Sequence, residues 1–381
     1  MRNVLIIGML DSIHLTRWLS QFEDQSIMFT IYPSTKFRSV HPDLIRLVKS
    51  NKNYRFTQKR FVKLFGYQEF FLNNFVARIY NRFSSENRLI RLIRKSNFDY
   101  IHALEIQGAG YLLLNSHFEK SNESQKIIVT NWGSDIYYFE KNLEDKIKIQ
   151  KILSIADYYS AECHRDYELA LKNGFKGKFL PINPNAGGFK ESVFQKNNKT
   201  SNERNQIIAK CYGGKFGLGN LIIDAIDSYL SINKTISVFF YSVTPDLVPM
   251  IETLISKFPK RISFVTVKNK LNSSDMHENF ANSRVYIGAS RSDGISTSFL
   301  EALVLGAYPI QTNTSCGNEW VEKGFHAQLI APTRDAIFDA LISIDELSSL
   351  ENLRLENNAL ASKFLKFEII KLESIKFYGA S

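Results

Sequence analysis

Cysteine, tryptophan and methionine are scarce in this chain: three, three and five among 381 residues. Cys163, Cys211 and Cys316 lie far apart and show no metal-ligand spacing. No disulfide framework or metal centre is expected, and a reducing, cytoplasmic compartment fits best. No window approaches the ~18 uninterrupted apolar residues of a membrane-spanning helix. The first apolar run, Val4 to Met9, is too short for a signal peptide, Asp11 interrupts it, and no cleavage-like site follows. No two aspartates are spaced Asp-x-Asp, which disfavours the metal-dependent single-domain sugar transferases. The first strand runs into Gly8-Met9-Leu10-Asp11-Ser12 rather than Gly-x-Gly-x-x-Gly, which weighs against a dinucleotide oxidoreductase. A Walker-type loop, short-period repeats and low-complexity tracts are also missing.

What is present is a basic, aromatic chain with a net charge of +10 and 44% hydrophobic residues, enough for a packed core. The charge is uneven. Ten basic residues fall between Arg55 and Lys95, against only Glu69 and Glu86. Phe61, Phe65, Phe70, Phe71, Phe75, Ile79, Phe83, Leu89 and Leu92 interleave with them. Such a surface suits anionic lipid headgroups. A solvated helix face over core aromatics is the ordinary alternative. No nucleic-acid motif accompanies the charge, so nucleic acid ranks last as a partner.

Strands and helices alternate throughout, which argues for parallel sheets covered by helices on both faces. The periodicity predicts strands at Val4–Gly8, Met28–Tyr32, Tyr100–Ala103, Ile127–Thr130 and Tyr158–Ala161. After the breaker-rich Leu180 to Gly188 and the polar stretch Lys190 to Asn205, the pattern restarts. Strands follow at Ile207–Lys210, Ile236–Tyr241, Ile262–Val265 and Val285–Gly288. Two α/β halves joined by a linker suggest two Rossmann-like domains facing a cleft, with ligands at the carboxyl ends of strands. The expected division is 1–187, 188–362 and a C-terminal helix, 363–381, returning to the first domain.

The densest chemistry lies in Ser290 to Ile310. A strand enters a Gly/Ser/Thr loop, an amphipathic helix follows, and Gly306 closes it before a second strand. Asp293 and Glu301 stand eight residues apart, one in the loop and one inside the helix. Backbone N–H groups at the helix start are suited to an anion. A capped strand–helix–strand unit with no ligand explains the spacing equally well. The stretch resembles the donor-site signature of glycosyltransferase family 4: an acidic residue before Gly, seven intervening residues, a helical Glu, then Gly and Pro. Asp293 stands in the place of the usual first Glu, and Ser296 and Thr297 where Gly and a bulky residue are commoner.

That resemblance implies the two-domain glycosyltransferase (GT-B) fold, retention of anomeric configuration, and no metal or other cofactor. Asp293 would act at the transferred sugar, Glu301 at the ribose, and Gly294, Ile295, Ser296 and Thr297 at the diphosphate. Lys210 and Lys215 flank Cys211-Tyr212-Gly213-Gly214, five residues apart. As two lysines on a turn they are a weak signal. The family places an Arg and a Lys at this spacing to hold the diphosphate, and Lys210 takes the Arg position. The loop Gly8 to Arg17 would line the acceptor side, with Gly8, Ser12 and His14 as candidates. His102, Glu105 and Gln107 follow one strand, Trp132 to Asp135 the next, and Glu162, Arg165 and Asp166 a third. Many family members carry a His near Trp132, so His102 and Asp135 become the catalytic candidates, with Glu105, Glu162 and Arg165 for the acceptor. The resemblance implies a nucleotide-sugar donor and a saccharide acceptor. A lipid-linked one, met at the inner membrane face, would also use the basic segment. A nucleotide-sugar epimerase of the same fold and a non-catalytic membrane-surface scaffold are the rival readings.

Overall fold

The computed structural model describes residues 1–36, 40–57, 85–118, 120, 124–269 and 271–379. Its contacts divide into two units, Met1–Gly187 with Ile370–Ser381, and Gly188–Ile369. The sequence reading placed the first division at the same residue, and the return to the first unit at 363 rather than 370.

The first unit carries strands β1 (Arg2–Gly8), β2 (Ile27–Pro33), β3 (Tyr54–Phe56), β4 (Tyr100–Leu104), β5 (Lys126–Thr130), β6 (Tyr158–Ser160) and β7 (Lys178–Phe179). They form one parallel sheet in the order β3-β2-β1-β4-β5-β6-β7. A parallel sheet is covered on both faces, so its central strands must be apolar on both. In β1, Val4 and Ile6 enter one core, while Leu5 and Ile7 enter the other. The C-terminal residues complete this unit. Tyr378 is fully buried, accepts a hydrogen bond from Trp18 Nε1 (3.2 Å), and shares one with His102 Nδ1 (2.7 Å). Asn183 donates to Ile370 O (3.1 Å) and Ser374 Oγ (2.6 Å).

The second unit carries β8 (Gln206–Lys210), β9 (Ser237–Val243), β10 (Ile262–Thr266), β11 (Ser283–Gly288), β12 (Tyr308–Thr312) and β13 (Gln328–Ile330). They form a parallel sheet in the order β10-β9-β8-β11-β12-β13. The order reverses between β8 and β11, whose register sets Lys210 beside Gly288. The carboxyl ends of strands at such a reversal are where ligands bind in doubly wound sheets.

The helix Thr297–Leu305 is buried from Ser298 onward, with Glu301 its one charged side chain. Gly306 ends it in the left-handed conformation (φ 82°), where a Cβ would also run into Asn197. Arg204, 1% exposed, anchors that end: its guanidinium donates to Leu305 O (2.8 Å), Lys199 O (2.9 Å) and Asn197 Oδ1 (2.7 Å). Burial lowers its pKa only to about 10, so it stays charged at neutral pH. Among the described residues, no helix is long and apolar enough to cross a membrane. Removing Arg204 takes the donor from the buried carbonyls of Leu305 and Ser283, so Arg204→Ala should lower the unfolding free energy by about 3 kcal/mol. Urea denaturation of the variant reads this directly, and an unchanged midpoint would contradict it.

Candidate functional site

In the second unit, the loop after β8 and the loop after β11 are laced together at the point where strand order reverses. Gly217 bridges Ser290, Leu218 N donates to Ala289 O (3.3 Å), and Arg291 N donates to Phe216 O (2.8 Å). A side chain at Gly217 would run into the Tyr212 carbonyl, so the tight turn requires glycine there. Gly213 N donates to Thr244 Oγ1 (2.9 Å). Lys210 and Lys215 stand at the two ends of this turn, half-buried and exposed respectively. Their ammonium groups lie 5.2 Å from the Tyr212 ring centroid and 5.6 Å from that of Phe216.

On the β11 side, Thr312 Oγ1 accepts from Ser290 N (3.0 Å) and Thr314 Oγ1 donates to Ser290 O (2.6 Å). Gly294 N donates to Asp293 Oδ1 (2.9 Å), and Cys316 N to Gly294 O (2.8 Å). These bonds hold Asp293, half-buried, just before Ser296, the residue that precedes the helix Thr297–Leu305. Ile295 packs its side chain into the core, so only its backbone is available to a ligand. Glu301 follows one turn into the helix and is 8% exposed. Below the two carboxylates lie three phenols. Burial, and then the nearby charge of Asp293, push the Tyr212 hydroxyl upward. Burial raises those of Tyr286 and Tyr241 as well, Tyr286 with the charges of both Asp293 and Glu301, Tyr241 with that of Glu301. All three stay neutral at physiological pH. Lys210, Lys215, Asp293, Gly294, Ser296, Thr297 and Glu301 thus gather at one end of one sheet.

The first-unit candidates fare differently. His102 is fully buried, its Nδ1 meeting Tyr378 and its Nε2 meeting Thr130 Oγ1 (2.6 Å). Burial pushes its pKa down to about 3. The expected catalytic role is corrected: His102 is a neutral core residue with both nitrogens engaged. Glu105 also turns inward. It accepts from Gly108 N and Ala109 N, each at 2.6 Å, and holds a backbone φ of 125°. That strained conformation lets the carboxylate cap its own loop, so it is not offered to an acceptor. Asp135 accepts from Ile106 N (2.9 Å) and Trp132 N (3.1 Å), bracing the loops after β4 and β5. Burial, and then the charge of Glu105, push it up to about 7. Arg165 donates to Asp166 Oδ1 (2.8 Å) and stacks 4.0 Å from the Tyr137 ring, and Glu162 Oε1 accepts from Asn185 N (2.9 Å). Ser12 caps the helix Ile13–Ser20 by accepting from His14 N (3.2 Å), and the His14 ring meets Trp132 edge-on at 5.4 Å. Gly8 ends β1 beside Leu15 and Leu104. Gly8, Ser12, His14 and Trp132 therefore adjoin at the carboxyl ends of β1 and β5, whereas His102, Glu105 and Asp135 serve the interior.

Residues 3–161 match the family model described as glycosyl transferase 4-like. That match spans the first unit and less than half of the chain. The whole chain has the two-domain glycosyltransferase fold. The Anabaena protein HepE, in complex with UDP and glucose, superposes with a TM-score of 0.69 at 10% identity over 99% of both chains. Sucrose-phosphate synthase from Thermosynechococcus elongatus gives 0.67 at 12% identity over 99% of this chain and 98% of that one. A glycosyltransferase from Rickettsia africae gives 0.64 at 12% identity over 99% and 97%. No curated protein matches the sequence.

The buried Asp135 makes a pH prediction. Its carboxyl ionises at its ordinary value of 3.8 in the unfolded chain and at about 7 in the folded one. Between those values the folded state holds the extra proton, so this group's contribution to stability falls as pH rises and levels off above the folded value. Asp135→Asn, which keeps an acceptor for both N–H donors, removes that dependence. The unfolding free energy of the variant relative to wild type should climb by about 1 kcal/mol per pH unit across that window. Urea titrations at three pH values measure it, and a flat difference would contradict the assignment.

Proposed function

We propose that the chain is a retaining glycosyltransferase that moves a sugar from a nucleotide-sugar donor to a saccharide acceptor in surface polysaccharide or glycoconjugate synthesis. The observation that carries this reading is the lacing of the loop that holds Lys210 and Lys215 to the loop that holds Asp293, ahead of the helix that carries Glu301. In the reaction, the bond from the sugar's anomeric carbon to the diphosphate oxygen breaks. A bond to an acceptor hydroxyl forms, and the acceptor's proton leaves. Charge grows on the departing diphosphate. Lys210, Lys215 and the backbone N–H groups at Ser296 and Thr297 stand ready to neutralise it. Two ammonium groups supply the positive charge that a metal gives elsewhere, so no metal is required. Lysine offers charge without the bidentate geometry of arginine. Asp293 accepts from hydroxyls of the transferred sugar, and Glu301 from those of the ribose. Uridine is the first base to try, because HepE and the Escherichia coli trehalose-6-phosphate protein were solved with UDP and with UDP-2-fluoro glucose.

The acceptor is proposed to be lipid-linked and met at the cytoplasmic membrane face. Support comes from the basic, aromatic segment 55–95. Most of it, 58–84, lies outside the described residues. In the part that is described, the helix Ser85–Lys95 buries Leu89 and Ile93 and exposes Arg91, Arg94 and Lys95.

Two experiments test the reading. UDP-, GDP-, ADP-, TDP- and CMP-sugars are screened by thermal shift and nucleotide release, with and without EDTA. One donor should stabilise the protein and release its nucleotide slowly, chelator should change nothing, Glu301→Ala should abolish the stabilisation, and Lys215→Ala should cut turnover about 10²-fold. Silence across all donors, or release of an altered free sugar without acceptor, would overturn the transferase reading. For the membrane, wild type should sediment with anionic vesicles and a variant with Arg78, Arg82, Arg88 and Arg91 changed to Gln should not. Equal partition of the two would sink that part.

A further inference from the structure

His277 lies on the helix Ser273–Asn282, which leads into β11. Its imidazole is 8% exposed. Its Nε2 makes no hydrogen bond, yet it stands 3.8 Å from Glu301 Oε1. That distance is too long for a hydrogen bond, whose N···O separation is about 2.7–3.2 Å, and short enough for a strong charge–dipole attraction. A buried nitrogen left without a partner costs free energy, so a structure that keeps one is short of a neighbour. Tyr241 and Tyr286, both neutral, also feel this carboxylate.

We propose that His277 is a positioning residue for the donor site: its Nε2–H holds one oxygen of Glu301, leaving the other to accept from the nucleotide ribose. This rests on the ribose role proposed for Glu301, and goes beyond it by naming the group that aims the carboxylate. A long carboxylate side chain ordered in advance loses less entropy when it grips a ligand. The advantage should therefore appear only with ligands that carry ribose hydroxyls.

The test is a ratio of affinities, measured by titration calorimetry on the full chain. UDP is compared with 2′,3′-dideoxy-UDP, or the corresponding GDP or ADP pair if the donor screen selects another base. Wild type should prefer the hydroxylated nucleotide. His277→Phe keeps the ring and removes the nitrogens. It should weaken UDP about tenfold and leave the dideoxy nucleotide unchanged, so the ratio collapses. His277→Gln, which restores an N–H donor, should recover part of it. A general packing defect would weaken both ligands alike, and that result overturns the inference. If the Phe variant does not fold, His277→Met reads the same ratio. Glu301→Gln separates the two claims. Should it collapse the ratio while the His277 variants do not, the positioning role is wrong and the ribose role stands. Should it leave the ratio intact, the ribose role fails and takes the inference with it.

Discussion

The pairing of β8 with β11 is the constraint on which the candidate site depends. It is a five-residue parallel register that sets Ile208 beside Tyr286 and Lys210 beside Gly288. Strand order reverses there, so one strand's loop turns one way and the other's turns back. Both strands are buried on both faces, and a register slip would move Ile207 and Ile208 into the wrong cores. The apolar packing thereby fixes the position of every polar group downstream. Gly217 and Ser290 then lock the two loops, and Arg204 fixes the far end of the helix that carries Glu301.

The two units treat buried charge in opposite ways. In the first, Glu105, Asp135 and Asp166 are consumed locally by backbone N–H groups, an Asn and an Arg. Their proton affinities rise because burial outweighs those bonds. This arrangement stiffens the ends of β4, β5 and β6. In the second, Asp293 and Glu301 stand near neutral phenols, in and just after a loop laced to the one that carries Lys210 and Lys215. A site built this way suits the anionic, hydroxyl-bearing donor proposed above.

Much of this was legible in the chain. The long apolar strands stand out because a parallel sheet leaves no polar alternation to confuse them, and the breaker-rich stretch ending at Gly188 marked the division between units. The loop, helix start and carboxylates from Asp293 to Glu301 were legible as one unit because they are close in sequence. The short edge strands β3, β7 and β13 were not foreseen, since two or three residues carry no periodicity. His102 was misjudged because it ends an apolar strand, and only the return of Tyr378 from the far end of the chain shows that the core closes over it. Glu105 was misjudged because its positive φ leaves no trace in residue type. His277 carried no signal at all: its partner lies on another helix, and the pairing exists only after both helices pack on the sheet.

The most direct measurement is a crystal structure of the full chain with UDP bound, or with the nucleotide that the donor screen selects. The account predicts the diphosphate beside Lys210, Lys215 and the start of the helix Thr297–Leu305, with a ribose hydroxyl on Glu301. Nucleotide bound elsewhere on the chain, or at this loop with its ribose turned away from Glu301, would contradict it.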